Sequence, residues 1–248
     1  MCLALIAAGS ALLSAATISF TDGFEAAAID PFWSVSQQLG SISLSSSQAA
    51  SGSQSLRFSS VSGGQRELIL SHDFSGPLKG TVSLSFYDSQ PGSQTLYELF
   101  VLSQSPIVTQ STASAGVLDY DAFCYIASAG LTGPNKNCGV FPQLTTTDVA
   151  RTQGWHRFVL TVGANTITVS IDGAVVHSSN QNLTFDRVEF HMFGPGGRPN
   201  TNAFIDDFSI LADPAGVPEP GSAALALAGL VALAIPFGRR HYGKANTT

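Results

Sequence analysis

A chain of 248 residues with 11 Lys and Arg against 17 Asp and Glu carries a formal charge of −6. It has no basic stripe to neutralise phosphates, which excludes nucleic acid as a partner. Charged residues are only 11% of the sequence, and the abundance of Ser, Gly and Thr suits an extracellular β protein with hydroxyl-covered outer faces.

From Met1 to Thr21 no side chain is charged, Cys2 to Leu13 form an apolar run, and Ser14-Ala15-Ala16 supplies small residues for a cleavage site. Residues 1–16 therefore read as a secretory signal peptide, too short to span a bilayer and lacking the usual basic n-region. The body, residues 17–213, is dominated by period-two alternation. Ser41-Ile42-Ser43-Leu44, Ser55-Leu56-Arg57-Phe58, Glu67-Leu68-Ile69-Leu70, Thr81 to Phe86 and Leu96 to Leu102 predict strands, separated by turn signals such as Gly76-Pro77 and Pro91-Gly92.

Between the next predicted strands lie Cys124 and Cys138, which in an oxidising compartment would close a loop containing Gly130, Gly133 and Pro134. Such a closure would stabilise by roughly 3 kcal/mol in the chain-entropy model; two free thiols are the alternative. Tyr120 and Tyr125 fall in this loop-rich region and are candidate glycan contacts. Further on, Trp155 to Val162 and Thr166 to Ile171 alternate strictly, and Asp172-Gly173 predicts a hairpin turn into a strand at Ala174 to His177. Arg187 to Phe193 and Ala203 to Leu211 complete the series. Many short antiparallel strands without a helix-period segment indicate an all-β antiparallel β-sandwich of jelly-roll type.

The sequence then changes character. Residues 214–221 form a linker, 222–238 an uncharged apolar helix, and 239–248 a basic tail beginning Arg239-Arg240. The 18 uncharged residues from Gly221 to Gly238 would span about 27 Å as a helix, enough to cross a bilayer core. The Lys/Arg excess after them places that end on the cytoplasmic side.

Two regions carry resemblances. Trp155-His156-Arg157-Phe158, Asn165 to Val169 and Ile171-Asp172-Gly173 resemble the strand–turn–strand segment of concanavalin-like and laminin-G-like jelly rolls. Phe24-Glu25, Trp33 and Ile205-Asp206-Asp207-Phe208 resemble the first and last strands of carbohydrate-binding jelly rolls. The tail, Val217-Pro218-Glu219-Pro220-Gly221 with its apolar helix and Arg239-Arg240, resembles the PEP-CTERM sorting signal. That resemblance implies an exosortase-type membrane protease as partner, transient anchoring in the inner membrane, and a destination in the cell envelope or extracellular matrix. Pro218 and Pro220 would stop the helix and leave an extended segment open to that protease.

The chemistry of the body is sparse. Glu25, Glu67, Glu98, Glu189 and Glu219 stand alone; His72, His156, His177, His191 and His241 form no sequence cluster; no G-x-S-x-G elbow occurs. No motif fixes a cofactor, and a structural calcium is the one candidate. A structural calcium would draw on Asp22 and Glu25 from the first strand and Asp206 and Asp207 from the last. The alternative is that Asp22-Gly23 is a turn and the Asp pair caps a strand end. These observations predict a non-catalytic adhesion or carbohydrate-binding domain whose partner is an extracellular polysaccharide. Two alternatives stand beside it: a surface glycan hydrolase whose acidic pair is assembled from distant strands, and a permanently membrane-anchored structural protein. Two carboxyl groups facing each other at about 5–10 Å would favour the hydrolase.

Overall fold

Alternating apolar and hydroxyl side chains build the described residues into strands as their only regular elements. The computed structural model describes residues 16–61, 63–91, 97–104, 107–118, 124–130, 145–194 and 201–216. The described residues form β1 (Ile18–Asp22), β2 (Ser34–Gln38), β3 (Gly40–Ser45), β4 (Ser55–Ser60), β5 (Arg66–Asp88), β6 (Tyr97–Gln104) and β7 (Ile107–Val117). They continue with β8 (Cys124–Ala129), β9 (Thr145–Ala150), β10 (Gly154–Val162), β11 (Ile167–Ile171), β12 (Ala174–Ser179), β13 (Phe185–Gly194) and β14 (Asn202–Pro214). Every pairing is antiparallel.

The long strand β5 organises the fold. Its first half pairs with β2 and β13, and from β13 the sheet runs through β6, β7 and β8 to β9. Its second half pairs with β10 and β14, and that layer runs out through β11 to β12 on one side and through β14 to β1, β4 and β3 on the other. The sequence signal for a turn at Gly76-Pro77 is overridden: the strand is continuous there and changes partners. Pro77 gives no donor to a ladder, and its carbonyl accepts from Ala215 N at 2.7 Å, so the proline sits at the bend where one layer becomes the other.

The two layers meet through side chains rather than ladders. Phe58 of β4 and Phe190 of β13 have ring centroids 4.7 Å apart, and Tyr125 of β8 lies 5.6 Å from Phe158 of β10. Val82, Leu84 and Phe86, Phe158, Leu160 and Val162, and Ile167, Val169 and Ile171 are all buried in one core, as their spacing predicts. The Asp172-Gly173 turn has φ of 50° and 82°, the left-handed pair of a type I′ hairpin. First and last strands lie side by side, with Asp22 opposite Phe208. Trp33 and Phe208 pack edge to face at 4.7 Å behind them. Among the described residues no helix is long and apolar enough to cross a membrane. Residues 1–15 of the signal segment, the Val217–Gly221 motif, the terminal apolar run, Arg239 and Arg240 lie outside the described residues.

Candidate functional site

Because successive strand residues point to opposite faces, the register of the β13 layer reads as a grid on its outer side. One transverse row holds Gln38, Glu67, Phe193 and Tyr97; the next holds Ser36, Ile69, His191 and Leu99; the third holds Ser34, Ser71, Glu189 and Val101. Asp73 and Arg187 face each other one row further on. Leu99 and Val101, with Leu118 and Ile126, make a second buried apolar cluster against which Tyr97 and Phe193 pack.

A line of charges crosses this grid. His191 Nε2 lies 3.2 Å from Glu67 Oε1, and His191 Nδ1 lies 3.1 Å from Glu189 Oε1. Arg187 Nε donates to Glu189 Oε2 at 2.9 Å, while its Nη1 donates to both carboxylate oxygens of Asp73 at 2.8 and 2.9 Å. Exposure is graded along the line: the Glu189 side chain is 3% exposed and that of His191 7%, whereas Glu67 keeps 42% and Asp73 53%. Burial alone would raise the pKa of Glu189. The hydrogen bond and charge of His191, with the Arg187 guanidinium, outweigh it and hold the carboxyl below its ordinary value. Beside Glu67, the rings of Phe193 and Tyr97 stack at 4.5 Å and 10°.

The sequence-level view placed Glu189 and Glu67 on strands but left each alone. Alternation does put Arg187, Glu189 and His191 on one face. What it does not reveal is that β5, more than a hundred residues earlier, is their neighbour. The two carboxylates come from distant strands, with an imidazole between them.

A second polar cluster is interior. Asp88 accepts from Arg151 Nε at 2.8 Å, Arg151 Nη2 at 3.0 Å and Tyr125 Oη at 3.2 Å. The pair is 1% and 2% exposed. Tyr125 is thereby a core residue rather than an exposed glycan platform: its β8 position points between the layers, and burial first, then Asp88, pushes its hydroxyl pKa up. Arg151→Met leaves the Asp88 carboxylate buried without its partner and should destabilise the domain by about 3 kcal/mol, measured as a shift in the urea midpoint at constant slope.

The other anticipated residues are dispersed among protein donors. Asp22 accepts from Phe24 N at 2.7 Å and Trp33 Nε1 at 2.9 Å. Glu25 accepts from the Ser53 hydroxyl and from the Gln54 and Ser53 amides, which lower its pKa. Asp206 takes the Ala50 and Ser51 amides, and Asp207 the Ser51 hydroxyl. Glu25 and the Asp pair thus hold one loop from both sides. Among the described residues no group of three or more His, Cys, Asp or Glu side chains is placed to hold a metal ion. Cys124 opens β8; Cys138 and Tyr120 lie outside the described residues.

Fold and site together define an all-β jelly roll of the galectin and concanavalin-like kind, with a carboxylate–imidazole line on the outer face of one sheet. No protein-family model matches the sequence, and no curated protein does. Among solved structures, the chain is similar to Crh5 transglycosylase in complex with NAG, at 14% identity and a TM-score of 0.57 over 81% of this chain and 86% of that one. It is similar to Bacillus licheniformis β-glucanase at 10% identity and a TM-score of 0.51, covering 77% and 97% of the two chains. A Bacillus subtilis protein with a galectin-like fold aligns at 15% identity and a TM-score of 0.51, covering 81% and 98%. At these identities the likeness is one of fold. It nevertheless overturns the expectation of a non-catalytic protein. That expectation rested on the lack of a paired-carboxylate motif in sequence, and the scaffold is one on which a transglycosylase and a glucanase are built.

Proposed function

We propose that this domain is a glycan-active enzyme that cleaves glycosidic bonds, with Glu67 exchanging a proton with the glycosidic oxygen. The observation that carries the reading is the line Glu67–His191–Glu189, graded from solvent to interior. His191 stands between the two carboxylates, with one ring nitrogen facing Glu67 Oε1 and the other facing Glu189 Oε1. As the glycosidic C–O bond breaks, the Glu67 carboxyl gives its proton to the departing oxygen. Water bonds to the anomeric carbon, and the proton it loses returns Glu67 to its starting state. Glu189 is too buried to touch substrate, and Asp73 stands six residues along β5 from Glu67, about 20 Å away in an extended strand. Neither forms a nucleophile–acid pair with Glu67 across one bond. Phe193 and Tyr97 offer the apolar edge against which a sugar ring would rest.

The test is release of new reducing ends from a panel of neutral and charged polysaccharides by the full chain. We expect cleavage of at least one; intact polysaccharides throughout, with a protein that is folded by circular dichroism, would reject the reading.

We also propose export of the chain and temporary retention in the inner membrane through Val217–Gly221 and the Arg239-Arg240 stop. An exosortase-type protease would then release it to the envelope or matrix, where the polysaccharide is met. The order of the three parts of the tail supports this. Mass spectrometry of the mature protein should find one end near residue 17 and the other near Pro218-Glu219-Pro220. Recovery of only the full-length chain, in membranes that hold the protease, would exclude it.

A further inference from the structure

We infer that the site on the β13 layer selects uncharged glycans and turns away polyanionic ones, and that Asp73 is a residue that sets this selectivity. The inference rests on the glycan-active reading above and concerns the charge its substrate carries. Recognition of a uronate or sulfate needs a guanidinium or ammonium with free donors. Among the described residues of this face the guanidinium is Arg187, and its fork is occupied from both sides. Nη1 is held by both oxygens of Asp73, and Nε and Nη2 are held by Glu189 Oε2. The imidazole of His191 lies between Glu67 and Glu189.

What the face shows to solvent is the opposite sign. Glu67 and Asp73 are its half-exposed charges, at 42% and 53%, against 17% for the side chain of Arg187. The whole chain adds a net −6. A polyanion laid along the described residues of this grid would meet two carboxylates before the Arg187 guanidinium, whose Nε, Nη1 and Nη2 are engaged. A neutral sugar instead finds the Glu67 carboxylate as an acceptor for its hydroxyls and the Phe193–Tyr97 edge for its apolar face. Asp73 does two things at once: it contributes negative charge and keeps Arg187 turned away from the substrate.

The experiment compares binding of a neutral β-glucan oligosaccharide and an oligouronate of equal length by the full chain at low salt, using calorimetry. Wild type should bind the neutral oligosaccharide at least tenfold more tightly. Asp73→Asn removes one charge and frees half of the Arg187 fork. It should raise oligouronate affinity about tenfold, the effect of one charge-assisted hydrogen bond, with neutral-glycan affinity changed less than twofold. Asp213→Asn, which removes an exposed carboxylate on the other layer, controls for net charge and should change neither. Equal wild-type affinity for the two oligosaccharides, or an Asp73→Asn effect no larger than that of Asp213→Asn, overturns the inference while leaving the functional reading standing. No binding of either, together with no cleavage of any polysaccharide, rejects both.

Discussion

Glu67→Gln should lower the rate of glycan cleavage by about a thousandfold, the middle of the range for loss of a general acid–base group, with little change in thermal stability. The side chain is half exposed and lies against the His191 imidazole, so its removal leaves no buried charge unpaired. His191→Gln should cost a similar factor, because it removes the imidazole that positions the Glu67 carboxyl. It does so from 7% exposure, without touching substrate, and is a positioning residue. Its signature is a displaced pH–rate profile in addition to a lower rate. Residues that act as one unit are not additive, so Glu67→Gln with His191→Gln should be scarcely slower than either alone. Multiplicative losses would show that the two act independently, and an unaltered rate in Glu67→Gln would remove this carboxyl from the chemistry.

The uneven legibility of this protein in its sequence has a physical cause. Alternation is a local property, so Val82-x-Leu84-x-Phe86 and Phe158-x-Leu160-x-Val162 announced their strands and their buried faces directly. The Asp172-Gly173 turn was legible for the same reason, since two consecutive left-handed residues need that chemistry. Gly76-Pro77 misled because a proline within a run reads as a stop. It can also mark the bend of a strand that changes layers, and only the pairing partners distinguish the two. The functional line was hidden more deeply. Register between β5 and β13 brings Glu67 to His191 across 124 positions of sequence, and nothing local encodes that pairing. Tyr125 misled in the opposite direction. Its position beside a cysteine in a loop-rich segment suggested exposure, whereas alternation along β8 sends Tyr125, Ala127 and Ala129 inward together.

The interior cluster provides the second large effect, in stability rather than rate. Glu98 shares β6 with Tyr97 but points the other way, into the space between the layers, and is buried. Burial first, and then the charge of Asp88, push its pKa up to about 8, against a smaller opposing pull from Arg151. An unfolded chain would release this proton near pH 4.5, so between the two values the folded state binds one proton more than the unfolded state. Stability from this group is therefore fully present below pH 4.5 and lost as pH rises towards 8, at about 1.4 kcal/mol per unit. The cumulative loss is on the order of 5 kcal/mol, a large share of the stability of a domain. Glu98→Gln removes the titrating group while keeping its shape. It should flatten this part of the profile, leave the melting temperature near pH 4.5 within a few degrees of wild type, and raise it clearly at pH 8.5. The Asp88–Arg151 pair, intact in both proteins, holds the surrounding geometry constant, so the difference between the two profiles isolates the ionisation of one carboxyl. A wild-type melting temperature that does not fall between pH 5 and 8, or a variant that falls in parallel with it, would show that Glu98 is not held protonated inside the sandwich.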